Sequence, residues 1–178
     1  MKNFLMTAAG CLAIAVAVPA AAQMSGDMTQ MAGSLSAADY VKMAADSDNF
    51  EIQSGRLAAT KSHREDVKGF GKQMVADHTA STRTLMAALN NQDRKIAPPS
   101  TRLSSDKQAK LDLLRKAPRA SFDQLYLQQQ LESHRSALAL HQGYAANGTD
   151  PALKQVATTI APTVQQHLSS IQGMMGSM

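Results

Sequence analysis

Four ionisable side chains stand out by type and position: Glu51, His78, His134 and His167. Each falls on the apolar stripe of a separate helical segment, about 14 to 17 residues after that segment begins. Near mid-helix, parallel and antiparallel neighbours reach the same level, so the four can converge inside one bundle. Polar groups are costly at such a place unless they are paired or coordinated. One carboxylate with three imidazoles suits Zn²⁺, Cu²⁺ or a single Fe ion. Asp77 and Glu132 stand close in sequence to two of these histidines, where they could orient an imidazole or add a ligand. The same residues also fit a metal-free alternative: a buried hydrogen-bonded network in which Glu51 accepts from a histidine and fixes the register of the bundle.

Other chemistries find little support. The chain has no Gly-rich phosphate loop and no Gly-x-Ser-x-Gly elbow, and Ser133 and His134, as helical neighbours, point apart. Cys11 is the only cysteine. The balance is against an enzyme. His141 continues the stripe of His134 and reads as a core or rim residue; His63 sits at a helix end, where a cation suits the dipole. Met24, Met28 and Met31 stand near the start, and Met174, Met175 and Met178 at the end. Thioethers bind Cu(I), but the irregular spacing equally fits terminal apolar filler. Aromatics make up 4% of the chain and Trp is absent, which leaves no stacking platform for nucleic acid; the +4 formal charge is scattered.

The elements that must carry the four residues can be read from periodicity. Ser36 is an N-cap with Asp39 three residues on, and a first helix is predicted from about Ala37 to Ser62. Its inner stripe is Tyr40, Ala44, Ser47, Glu51, Ser54 and Ala58, and the run Asp46-Ser47-Asp48-Asn49 is weak helix material within it. A second helix, about Glu65 to Asn91, places Val67, Phe70, Gly71, Met74, His78, Leu85 and Leu89 on one face. Gly69 and Gly71 cost helix propensity there, offset by close approach of a neighbour. Pro98-Pro99 marks a loop, and a short helix starts at Ser104 or Ser105 and ends at Pro118.

A third long helix is predicted from about Ala120 to Ala146, with the stripe Leu127, Leu131, His134, Leu138, His141 and Ala145. Asn147-Gly148 reads as a C′ stop. Asp150-Pro151 then opens a fourth, with Leu153, Val156, Ile160, Val164, His167, Leu168 and Ile171 on its face and Pro162 expected to kink it. Four helices of about 25 residues, each ~37 Å long, predict an all-α four-helix bundle with a short extra helix in the crossover connection.

Ahead of the bundle, Lys2, the apolar stretch Phe4 to Val18 and Pro19-Ala20-Ala21-Ala22 form a secretory signal with a cleavage site. The apolar run is short of the ~20 residues a spanning helix needs. Ala8-Ala9-Gly10-Cys11 faintly resembles a lipoprotein acceptor, without a full apolar region ahead of it. The expected organisation is a cleaved signal peptide at 1–22, a flexible leader at 23–35, the bundle at 36–173 and a Met-rich tail at 174–178. The expected location is periplasmic or secreted.

Several stretches carry a family likeness. They are Phe50-Glu51-Ile52-Gln53-Ser54-Gly55-Arg56-Leu57-Ala58, Met74-Val75-Ala76-Asp77-His78, Leu131-Glu132-Ser133-His134, Asp150-Pro151-Ala152-Leu153-Lys154 and His167-Leu168. The chain resembles, over roughly Ala37 to Ile171, a bacterial family catalogued only as a domain of unknown function, number 4142. That resemblance implies a ferritin-like bundle, usually exported and often labelled a predicted outer-membrane protein, and supplies no established reaction. Di-iron ferritin-like proteins use Glu-x-x-His on two helices. Here Val75, Leu131 and Val164 occupy the positions three before the histidines, which disfavours a di-iron oxidase. The functional expectation is an exported ferritin-like module of the cell envelope or of stress physiology, binding a transition metal at mid-bundle. The alternative is a metal-free structural or interaction module that docks an envelope protein.

Overall fold

The computed structural model describes residues 35–90 and 96–177. The signal segment, Cys11, the leader up to residue 34 and Met178 lie outside the described residues. Among the described residues five helices form: α1 (Ala37–Lys61), α2 (Glu65–Leu89), α3 (Ser105–Lys116), α4 (Arg119–Asn147) and α5 (Pro151–Gly176). No strand occurs among the described residues. No helix among them is long and apolar enough to cross a membrane.

Local chemistry fixes the helix ends. The Ser36 hydroxyl accepts from the Asp39 amide at 3.1 Å, satisfying an otherwise orphaned N–H at the start of α1. Asp150 caps α5 by accepting from the amides of Ala152 and Leu153, both at 3.0 Å, with Pro151 as the first helical residue. Lys61, the last residue of α1, donates to the carbonyls of Leu114, Arg115 and Ala117 and so closes the C-terminus of α3. At the other end of α3, Ser104 bonds Asp46 of α1 through its amide and its hydroxyl. These two ties make α3 run alongside α1 in the same direction.

Two endings differ from expectation. Gly148 has φ −59° and ψ 151°, so it is extended and no left-handed C′ residue forms. A side chain is excluded there by space, since a Cβ would lie 2.6 Å from the Tyr144 carbonyl oxygen and ring. Pro162 lies inside α5, as expected. That helix carries through Met174 and Met175, which pack half-buried against the core, so residues 174–176, read as part of a tail, are its last turn.

The long helices form two antiparallel hairpins, α1–α2 and α4–α5, placed side by side. One apolar half joins Tyr40 and Ala44 of α1, Leu85 of α2, Leu140 and Tyr144 of α4, and Leu153 and Ile160 of α5. The other joins Ala58, Val67, Phe70, Met74, Phe122, Tyr126 and Ile171, with Leu114 of α3. The start of α1 therefore lies beside the end of α4, and the order is up, down, down, up with one long crossover through α3. Each fully buried large side chain contributes roughly 1.5–3 kcal/mol. Between the two halves lies a layer of buried polar residues.

The register of that layer is set at a glycine crossing. A Cβ on Gly55 would meet the Gly71 carbonyl oxygen at 2.6 Å, and one on Gly71 would meet that of Gly55 at 2.7 Å. Backbones of α1 and α2 touch here as no larger residue allows. Two turns away on each antiparallel helix stand Asp48 and His78, which the crossing brings face to face. Gly69 has no such neighbour.

Candidate metal centre

Asp48 and Glu51 reach the polar layer from α1, His78 and Asp77 from α2, Gln130 and His134 from α4, and His167 from α5. All but Asp77 are buried. The imidazoles of His78, His134 and His167 stack edge-on or tilted, with ring centroids 5.3–5.7 Å apart. One ring nitrogen from each lies within 4.8 Å of the others.

Hydrogen bonding fixes which nitrogens face inward. His134 Nδ1 lies 3.0 Å from the Gln130 carbonyl oxygen, which can only accept, so Nδ1 carries the proton. His167 Nε2 donates to Asp77 Oδ2 at 2.9 Å, and His78 Nδ1 to Asp48 Oδ1 at 2.8 Å. The Thr82 hydroxyl holds the other Asp48 oxygen at 3.1 Å. Each ring thus has one nitrogen tied to an outer acceptor. His134 Nε2 and His167 Nδ1 face each other at 3.3 Å, and His78 Nε2 is buried without a partner. Neutral rings in these tautomers present three lone pairs to one region. Outer acceptors on metal-ligating histidines have this arrangement.

The electrostatics favour neutral rings at His134 and His167. Burial holds the His134 imidazole well below its ordinary range, and repulsion from His78 and His167 adds to it. Burial also lowers His167, partly countered by its bond to Asp77. His78 differs: burial disfavours its cation, but the bond to Asp48 and that carboxylate's charge outweigh it and raise its basicity. Burial raises the Glu51 carboxyl, against opposing help from His78 and Gln130.

Glu51 stands at the edge of the cluster. Its Oε2 accepts from Gln130 Nε2 at 2.5 Å, and its Oε1 lies 3.9 Å from His134 Nδ1, the outward nitrogen of that ring. Oε1 has no hydrogen-bond partner. Asp77 serves His167 across the α2–α5 seam as well as neighbouring His78 in sequence. Glu132 is on the outer surface, 65% exposed in its side chain and paired with Lys110 at 2.9 Å. It does not approach His134, because residues two apart on a helix point to different faces. His141 is buried with Nδ1 3.1 Å from Tyr40 Oη, one layer away, and His63 is exposed.

Two residues of the site escaped sequence reasoning. Asp48 sat within a run read as weak helix, although its place three before Glu51 puts it on the same inner face. Gln130 lay off the expected α4 stripe. The buried face of α4 runs through Tyr126, Gln130, Ala137 and Tyr144 as well as Leu127, His134 and His141, leaving Leu131, Leu138 and Ala145 half-buried.

Fold and cluster together define an all-helical bundle with a buried three-histidine centre. The chain belongs to the family described as Domain of unknown function (DUF4142), which matches residues 20–174. Among solved structures it is similar to a DUF305 fragment from Deinococcus radiodurans, with a TM-score of 0.68 and 15% identity over 79% of this chain and 95% of that one. At that identity the likeness shows the fold alone. No curated protein matches the chain.

Proposed function

We propose that the protein is an exported, ferritin-like metal-binding bundle that holds one transition-metal ion between His78, His134 and His167. The ferritin-like reading rests on the up–down–down–up order with a single long crossover. Export to the periplasm or beyond rests on the charged start, apolar stretch and small-residue site of residues 1–22. A role in the envelope or in stress physiology would follow from that location.

The observation that carries the metal reading is the set of inward lone pairs. Two lone pairs at 3.3 Å repel one another unless a proton or a cation lies between them. The same separation is close to the edge of a tetrahedron around an ion with metal–nitrogen bonds of about 2.0–2.1 Å. Imidazole donors favour Zn²⁺ or Cu²⁺, with a single Fe ion also accommodated. Asp48, Asp77 and the Gln130 carbonyl would orient the three ligands, and Glu51 would support His134 from its outer side or swing in as a further ligand.

A second reading, a metal-free structural or interaction module, is favoured by one specific observation. The 3.3 Å contact is also a hydrogen-bond length, and a shared proton would complete a chain from Asp77 through His167 to His134. The two readings separate on protein purified without a His-tag and incubated with Zn, Cu or Fe. The first expects one ion per chain and a higher melting temperature. Stabilisation follows RT ln(1 + [L]/Kd), about 2.7 kcal/mol at a hundredfold excess over Kd. No bound ion and no thermal shift would overturn it.

A further inference from the structure

The seam between α2 and α5 is looser than either hairpin seam, and a cleft of about 180 Å³ opens in it. Its floor is formed by His78 and His167, two of the three proposed ligands, and Asp77 stands beside them with a side chain 35% exposed. Ser81, Thr84, Thr159, Ile160 and Thr163 line its walls. The hydroxyls of Thr84 and Thr159 donate to carbonyls of their own helices, so these walls present acceptor oxygens and methyl groups. A larger cleft, near Asp46 and Lys107, is lined by none of the three histidines.

We infer that this cleft admits a small monodentate ligand, water or an anion the size of azide, to an open coordination position on the ion. This rests on the metal-centre reading. Three protein nitrogens converge on the centre, and a four-coordinate ion then keeps one position that the protein does not fill, as in sites where exogenous ligands exchange. Glu51 does not fill it in this arrangement, being held by Gln130 on the far side of His134. His78 and His167 line the cleft and His134 does not, which places that position on the side of the α2–α5 seam. Size restricts the ligand. The cleft accommodates a few waters or one small anion, and falls below the roughly 300–1,000 Å³ of pockets for larger organic ligands. Three neutral imidazoles leave the ion a Lewis acid, so water at this position would be acidified and exchangeable with anions.

Cobalt(II) substitution of the full chain tests this, because the visible bands of Co(II) report both coordination number and exogenous ligands. Azide added to the cobalt-loaded protein is expected to change those bands saturably. Ser81→Trp and Thr163→Trp each fill the cleft from a position that is not fully buried; both are expected to keep the cobalt bands and weaken the azide response at least tenfold. Ser81→Ala should respond like the unaltered protein. Cobalt bands indifferent to azide, or an undiminished azide response in both tryptophan variants, would overturn the open position while leaving the metal centre standing. Absence of cobalt bands altogether would overturn the metal centre itself, and this inference with it.

Discussion

His134 Nε2 and His167 Nδ1 face each other at 3.3 Å inside the bundle, while the opposite nitrogen of each ring is engaged by an acceptor that fixes its proton outward. Neither ring can relieve this opposition by changing tautomer without giving up its outer hydrogen bond. The pair is therefore set to take a cation or to share one extra proton. Its position is dictated by helix register, since the two residues come from the two helices of one antiparallel hairpin, α4 and α5.

Removing one of the facing rings should separate the two outcomes. His134→Ala is expected to abolish stoichiometric metal binding and the ligand-induced rise in melting temperature. If the ring serves only a metal-free network, the variant will instead destabilise the apo protein with no metal-dependent effect to lose. Thermal melts with and without metal, on both proteins, decide this.

Asp48 acts on the centre through His78. Asp48→Asn is expected to weaken metal affinity by about 10–100-fold, the usual loss when an orienting acceptor is altered. Asp48→Ala also leaves the buried His78 Nδ1–H without its acceptor, at a cost of about 1–3 kcal/mol in the apo protein, while the Thr82 hydroxyl keeps the His78 carbonyl as acceptor. Metal titrations and denaturant melts of the two variants test both effects; an unchanged affinity in Asp48→Asn would contradict the orienting role.

The glycine crossing predicts opposite signs for two neighbouring substitutions. Gly71→Ala forces a Cβ to within 2.7 Å of the Gly55 carbonyl oxygen and 2.8 Å of the Ala58 Cβ, and should cost about 1–3 kcal/mol. It should also loosen the pairing of Asp48 with His78 and weaken metal binding. Gly69→Ala enters open space on an exposed helical face and should stabilise by up to about 1 kcal/mol. Equal effects of the two in denaturant melts would rule out the close approach.

Acid sensitivity should be traceable to His141. Burial, with repulsion from His78 and against the pull of Asp48, holds its imidazole down at about 4 from an ordinary 6.5. The unfolded chain then binds the proton first, so this contribution to stability is full above about pH 6.5 and is lost as pH falls toward 4. At about 1.4 kcal/mol per pKa unit, the loss is on the order of 3 kcal/mol. Glu51, whose carboxyl is raised, contributes with the opposite sign, as stability present in acid and lost on rising through its folded value. His141→Gln should flatten the fall between pH 6.5 and 4 in apo-protein melts. An unaltered profile would contradict the assignment.

The helices and three of their faces were legible in sequence because apolar residues on α2 and α5, and apolar or small residues on α1, recur at helical spacing. Tyr40, Ala44, Glu51 and Ser54, or Val156, Ile160, Val164 and His167, could be placed by that rule alone. It failed on α4, where Gln129 and Gln130 are buried among Tyr126, Leu127 and His134 and blur the contrast between faces. It also could not see partners across seams. Asp77 bonds the histidine of another helix, Glu132 turns away from the histidine two residues on, and Asp48 meets His78 only because two glycines let the backbones touch. Adjacency in sequence is a poor guide to adjacency around a helix.

X-ray absorption on the zinc-loaded protein tests the three-histidine centre most directly. One ion per chain is predicted, with a first shell dominated by imidazole nitrogens at about 2.0–2.1 Å, and with that shell lost in His134→Ala. No stoichiometric zinc, or a shell of oxygen ligands that survives the substitution, would contradict it.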